Sequence, residues 1–492
     1  MKTTIRTILL ASALVNFGMA LQGNALEVFR WGDTNDFSVI CPPPIGREGR
    51  GGCCGVGMPD WTVTEPYINL WVKDQPLGYQ PAKGPAVTLK IEYKQRNEGP
   101  GYSSNEFSFG KGWNCSWRSY AVNGAGGTTI YFPGGGLMVY STINSINPNT
   151  YSRVENPNDG VYRVIFQDGH TNIYAMQASI DGETRFYLSE SDDLQGNKLA
   201  FHYQNEGTTL TVARLSYLID GDGRTNFLFY TNTTFSVNLV ESVIDGFGRT
   251  NHFSYDTNGF LTGVKDVQGI ASGFAYDGGG FMTNLITPYG ITTFAYREGT
   301  NYDNYRWLRV TDAGGGEHLW LAAETIGFAD TNYVYKGCSF YWGPRQFARL
   351  TQTNLINADP PLPFTENDYL RAKLKWWGGW GGAPGNPAHL LWQRDFSPDG
   401  VNPGFETDYW YESGDVYPTY VDSQNDDGSQ TRIQTTWNDL GKPTEIFKLN
   451  DDQLSLYHYY TTIFPLGTIW YTFRGTDASS KIYAQLQPHV TL

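Results

Sequence analysis

The sequence is short of charge, and shortest of positive charge. Only 17% of its 492 residues are Asp, Glu, Lys or Arg, and 35 basic residues face 49 acidic ones, a net charge of −14. Nucleic acid and anionic membranes need a basic surface, so neither is expected as a partner. Beyond residue 25 no apolar run approaches the roughly 20 residues of a membrane-spanning helix, so no transmembrane segment is expected in the mature chain. Ala, Glu, Lys, Leu and Arg do not dominate, which excludes a coiled coil. The seven His are scattered, and those at 202 and 252 sit beside strand aromatics, as solvated strand residues would. No G-x-S-x-G, H-E-x-x-H, Walker A or complete G-x-G-x-x-G motif occurs. No catalytic residue, metal site or cofactor is therefore assigned, with one Ca²⁺ candidate taken up below.

What the chain has is 57 Gly, 33 Tyr, 27 Phe and 15 Trp. That aromatic area offsets chain entropy and excludes disorder. Much Gly and Tyr with little charge points to many short strands joined by tight turns. Lys2 and Arg6 precede an apolar run from Ile8 to Val15, with small residues at Ala20 and Ala25. Residues 1–25 therefore read as a secretory signal peptide, and the chain as secreted or held at the cell surface; a buried N-terminal helix is the alternative. Residues 26–66 read as an irregular Cys/Pro/Gly-rich leader. Its Cys41, Cys53 and Cys54 leave three readings open: a staple from Cys41 to Cys53 or Cys54, free thiols, or a metal site. No CxxC pair and no nearby His supports the metal.

Residues 67–180 read as an N-terminal β region. Val87, Leu89, Ile91 and Tyr93 alternate with Thr88, Lys90 and Glu92, the pattern of a half-buried strand. Residues 181–300 hold an internal repeat. Its units are DLQGNKLAFHY, DGDGRTNFLFY, DGFGRTNHFSY, DVQGIASGFAY and TPYGITTFAY, ending at Tyr203, Tyr230, Tyr255, Tyr276 and Tyr296. In D-x-x-G the Asp caps a turn and the Gly accepts a positive φ; Gly223, Gly248, Gly259, Gly269 and Gly290 are the expected turn glycines. Period 2 puts Phe253 with Tyr255, Phe274 with Tyr276 and Phe294 with Tyr296 on one face. Asp256 and Asp277 open the return turns. Each unit is a hairpin that cannot bury its own aromatic face, so stacked units share one.

Residues 301–460 read as divergent repeats, with a weak unit at 436–446 carrying Trp437 in place of Tyr, and 461–492 as a C-terminal strand segment. Thr365 to Asp368 resembles a capping box with Asp in Glu's place and predicts one short helix. The Gly-rich run 376–382 predicts a loop or irregular strand, since each Gly destabilises a helix by about 1 kcal/mol. Its Trp376, Trp377 and Trp380 suit stacking on sugar rings or, alternatively, plugging the sheet's end. The carboxylate pairs at 192–193, 220/222, 426–427 and 451–452 read as turn caps rather than a glycosidase couple. Asp220-Gly-Asp222-Gly223 is the Ca²⁺ candidate.

Gly248, Arg249, Tyr255, Asp256, Gly259 and Leu261 resemble the repeat of the RHS/YD-repeat family, G-R-x-x-x-x-x-Y-D-x-x-G-x-L. Residues 81–96 resemble that family's GRGPxLxLxRxYxSR segment, and Phe109 to Trp113 its FGxGW. The resemblance covers about residues 67–300, and 400–446 weakly. It implies a long β-sheet spiralling into a hollow shell, often around a C-terminal toxin domain released by self-cleavage at a DPxG-type motif. Here Asp359-Pro360-Pro361-Leu362 lacks the Gly and Ser397-Pro398-Asp399-Gly400 inverts the order, so self-cleavage is not expected. The expectation is an all-β chain: an extended curved sheet of YD-repeat hairpins forming a partial shell, an N-terminal β domain and at most one or two short helices. Its expected function is that of an exported, non-enzymatic scaffold in surface structure, encapsulation or intercellular interaction. The alternatives are a carbohydrate-binding adhesin and a carrier fragment of a polymorphic toxin system. Cell-surface glycans or a partner protein are the expected partners.

Overall fold

A computed structural model describes residues 29–30, 37–38, 57–66, 68–95, 103–147, 152–166, 168–204, 211–231, 238–298, 305–327, 334–351, 364–378, 387–396, 404–412, 417–425, 427–437, 443–448, 453–459, 468–474 and 482–486. The signal-peptide reading, Cys41, Cys53, Cys54 and Trp380 lie outside the described residues.

The Asp-x-x-Gly turns set the architecture. In each, one carboxylate oxygen accepts two backbone N–H groups, two and four residues on. Asp220 takes those of Asp222 and Arg224, Asp245 those of Phe247 and Arg249, and Asp256 those of Asn258 and Phe260. Asp266, Asp277 and Asp312 repeat the pattern. The third position after Asp has a positive φ, as at Gly223 (82°), Gly248 (78°), Gly259 (81°) and Gly269 (86°), which only glycine adopts without cost. Arg249 folds back on its own turn, 2.6 Å from Asp245. The last unit departs from the reading. Thr287 pairs directly with Gly290, so Pro288 and Tyr289 make a two-residue turn; the Thr287 hydroxyl accepts the Tyr289 N–H, and Gly290 opens the next strand.

These turns join a long antiparallel sheet. Among the described residues, every strand from Arg153–Asn158 to Ile482–Leu486 pairs with its successor in the chain, and the sheet does not close into a barrel. Three further strands, Tyr120–Gly124, Gly127–Tyr131 and Leu137–Tyr140, branch from it at Phe186 and Tyr187. In Thr250–Tyr255, Asn251 and Phe253 are buried while His252 and Ser254 face out. A register shift precedes the repeat tyrosine in four units, and precedes Trp437 as well. It carries the tyrosine to a carbonyl of the preceding hairpin. Tyr203 donates to Leu188, Tyr230 to Leu215, Tyr255 to Val240 and Tyr276 to Leu261, always fifteen residues back. Tyr296 donates to the Asp277 carboxylate, and the Trp437 indole to the Pro418 carbonyl.

A second sheet of Gly57–Thr64, Asn69–Tyr79, Val87–Lys94 and Trp113–Cys115 is also an antiparallel meander. The strand Gly57–Thr64 corrects the irregular leader expected to residue 66: after a register shift between Gly57 and Asp60, Trp61 and Val63 pack on the main core, which holds the strand in place. Val87, Leu89, Ile91 and Tyr93 are buried, as their alternation requires.

This small sheet fills the inner face of the repeats. Phe253, Phe274 and Phe294 share one core cluster there. Phe109 meets Phe253 at 4.8 Å, Trp113 meets Phe274 at 4.8 Å and Trp61 meets Phe294 at 6.3 Å, edge to face. Each buried ring contributes roughly 2–3 kcal/mol. Two straps bind the hairpins in order. On one row, Phe107 N–H donates to Ala213, Ser108 N–H to Asn238 and Lys111 N–H to Gly259, while Tyr93 hydroxyl accepts from Met282 N–H. On the other row, Ala82 N–H donates to Asp222, Tyr79 hydroxyl donates to Asp220, and Pro76 carbonyl accepts from Val267 N–H.

Between residues 305 and 374 both faces of the long sheet are covered. Leu308, Val310, Trp320 and Ala322 join the inner core, while Trp307, Leu319, Leu321, Phe340 and Trp342 form a second cluster on the outer face. Two short helices, Pro344–Phe347 and Glu366–Leu370, supply Phe347 and Tyr369 to that cluster. The second opens with the Thr365/Asp368 capping box its sequence predicts.

Candidate functional site

Beyond the helices the outer face continues, with Trp376 and Trp410 exposed on it. Five strands carry it: Lys373–Gly378, Pro387–Arg394, Glu406–Trp410, Tyr420–Gln424 and Gln430–Trp437. Cross-strand partners share a face. The register sets Trp376 opposite Trp392, Trp392 opposite Asp408, Asp408 opposite Asp422, and Asp422 opposite Arg432. Trp377, Leu390, Tyr409, Val421 and Ile433 point the other way and are buried. The outer row is thus two indoles followed by charged residues, with Trp410 facing Tyr420 one step along.

Of the three tryptophans read together from the sequence, Trp376 and Trp377 fall on opposite faces, and Trp380 lies outside the described residues. Trp376 lies in the strand Lys373–Gly378, paired with Cys338 on one side and Trp392 on the other; the register shift that follows it fits the irregular strand expected there, and residues 379–382 lie outside the described residues. Trp376 is 47% exposed, whereas Trp377 is 2% exposed. As consecutive strand residues they point to opposite faces, and the register shift leaves Leu391 of the partner strand unpaired between them. Trp377 packs in a core cluster with Leu390, Tyr409 and Val421. Its indole donates to the Ser339 hydroxyl at 2.9 Å, and that hydroxyl donates to Glu65 at 2.7 Å. Lys375 closes on Glu65 at 2.7 Å. Burial alone would raise the Glu65 carboxyl, but the Lys375 charge and these hydrogen bonds outweigh it and hold it below the usual range.

Trp410, 56% exposed, heads a groove of about 340 Å³ lined by Trp410, Tyr411, Glu412, Thr419, Tyr420 and Arg432. Its walls are fixed by a short network. Arg432 grips Asp422 in a bidentate pair at 2.6 and 2.5 Å, and lies 5.7 Å over the Tyr420 ring. The Trp410 indole also donates to Asp422. Arg432, first among these, holds the Asp422 carboxyl below its ordinary value. Burial, then the facing Asp422 charge, pushes Asp408 up. With both oxygens of Asp422 engaged, the pair is an orienting clamp; the groove offers flat ring faces beside fixed polar edges. Trp392, Trp410, Tyr420, Asp422 and Arg432 were missed from the sequence. Alternation against the buried Tyr409, Val421 and Ile433 was the available signal.

The remaining candidates resolve structurally. Asp220 and Asp222 receive Tyr79, Ala82 and Arg224 donors in addition to their own turn, so they do not fit an open Ca²⁺ loop. Among the described residues no group of three or more His, Cys, Asp or Glu could hold a metal. Cys115 and Cys338 are buried, and burial pushes the Cys115 thiol up to about 11. Among the described residues no helix is long and apolar enough to cross a membrane.

No family model and no curated protein matches the chain. Among solved structures it is similar to the crystal structure of TcdB2-TccC3-Cdc42, at 10% identity and a TM-score of 0.30, over 86% of this chain and 22% of that one. It is similar to TcdB2-TccC3-TEV at 11% identity and 0.25, over 85% and 23%. A porin-like protein from Bacteroides uniformis ATCC 8492 aligns at 9% identity and 0.19, over 55% and 91%. The chain spans about a fifth of the length of the first two. At TM-scores of 0.30 and below these matches identify neither a family nor a site.

Proposed function

We propose that this chain is an exported, non-enzymatic β-scaffold of RHS/YD-repeat type, working in surface structure, encapsulation or intercellular interaction. The observation that carries the reading is the filled inner face. Trp61, Phe109 and Trp113 occupy the space against the repeat aromatics where a carrier would hold cargo. The toxin-carrier alternative is correspondingly less favoured. The test is protease shaving of intact cells expressing the full chain. Loss of the chain while a cytoplasmic marker survives is expected; full protection would overturn the reading. A second reading, a glycan-binding adhesin on the same scaffold, is favoured by the exposed Trp376 and Trp410 on the outer face.

A further inference from the structure

We propose that the groove between Trp410, Tyr420 and Arg432 is a binding site for a neutral carbohydrate. The inference deepens the adhesin reading and rests on it. Trp410 and Tyr420 are cross-strand partners, so their rings flank one groove. Flat aromatic walls with polar groups at their edges suit the apolar face and equatorial hydroxyls of a pyranose ring. The volume of about 340 Å³ is at the lower end of small-molecule sites, about 300–1,000 Å³.

Charge selects within that class. Arg432, the one cation among the described lining residues, is already neutralised by its bidentate pair with Asp422. Asp408, opposite Asp422, and Glu412 in the wall add negative charge. A phosphate, sulfate or uronate would meet carboxylates with no free counter-charge among the described lining residues, whereas a neutral polyol meets donors and acceptors at once. The groove is also prepared before binding. Trp410 is tethered to Asp422 by its indole N–H, Asp422 to Arg432, and the guanidinium lies over Tyr420. Little ring motion is lost on binding, which favours affinity from few contacts.

The test uses the full chain and unbranched hexasaccharides: β-1,4-glucan, α-1,4-glucan, β-1,4-linked N-acetylglucosamine, and a heparin hexasaccharide as the anionic probe. Titration is followed by calorimetry and tryptophan fluorescence. At least one neutral hexasaccharide is expected to bind, with heparin tenfold weaker or worse. Trp410→Ala should weaken binding at least tenfold and Tyr420→Ala several-fold. Tyr289→Ala, which removes a 78%-exposed ring on a distant turn, should leave affinity unchanged. Near-UV circular dichroism checks that each variant is folded, and Trp410→Phe, which keeps a ring, should restore part of the affinity if Trp410→Ala misfolds. Binding that survives Trp410→Ala overturns this site but leaves the adhesin reading. No neutral binding by folded chain overturns both and leaves the scaffold reading, which protease shaving tests separately. Preference for heparin overturns the charge argument and the site with it.

Discussion

The Trp113 indole donates to the Tyr276 hydroxyl at 2.8 Å, and that hydroxyl donates to the Leu261 carbonyl at 2.8 Å. One side chain therefore joins the small sheet, its own hairpin and the hairpin before it. Tyr230 makes the hairpin bond alone, to Leu215, without an indole donor. Tyr276→Phe removes both bonds and leaves the Trp113 N–H buried without a partner, so it should cost about 2–3 kcal/mol; Tyr230→Phe should cost about 1 kcal/mol. Urea midpoints of the two variants check this, and equal losses would refute the linking role of Tyr276.

The turn glycines separate backbone strain from crowding. Gly248 has φ 78°, and a Cβ there would meet nothing within 4 Å. Gly280 has φ 87°, and its Cβ would sit 2.8 Å from the Phe260 ring. Gly248→Ala should thus cost only the left-handed penalty, roughly 1–2 kcal/mol. Gly280→Ala should cost about 1 kcal/mol more, because Phe260 is packed on Tyr276 at 4.9 Å. Thermal melts of both variants decide it; the reverse order would mean that Phe260 moves freely.

Much of the repeat was legible because its chemistry is local. Asp-x-x-Gly encodes its turn within five residues, and Phe-x-Tyr encodes a face by period 2. The fifteen-residue tyrosine bond was not legible, since it depends on a register shift between strands. Nor was the filling of the inner face: Trp61 and Trp113 lie far in sequence from Phe294 and Phe274. In the candidate site, adjacency in sequence misled. Trp376 and Trp377 look like one platform, and only the strand's two-sided pairing separates them.

That separation gives a direct contrast. Trp377 is buried among Leu390, Tyr409 and Val421, and its N–H is bonded to Ser339. Trp377→Ala should destabilise the chain by about 3–5 kcal/mol. Trp376→Ala trims a half-exposed ring and should cost under about 1 kcal/mol. If denaturation shows the two losses to be alike, the assignment of core and outer face is wrong.

Asp74, on the small sheet, and Asp266, in a repeat turn, are each 5% exposed, and each has one carboxylate oxygen with no donor, Oδ1 of Asp74 and Oδ2 of Asp266. Burial, with the Asp266 charge adding to it, pushes Asp74 up to about 7. The sign follows from linkage. Below the unfolded value of about 3.9 the group is protonated in both states and costs nothing. As pH rises from there to about 7, the unfolded chain releases a proton that the folded chain retains, so stability falls. Above that the penalty is complete, on the order of 2–4 kcal/mol. Asp74→Asn removes the titration while keeping the shape. It should stabilise the chain by that amount at pH 8 and by little at pH 4. Urea unfolding at pH 4, 6 and 8 measures the difference. A gain independent of pH would show that Asp74 is not the group that titrates, and a loss at pH 8 would mean that its charged form is bonded in the folded chain.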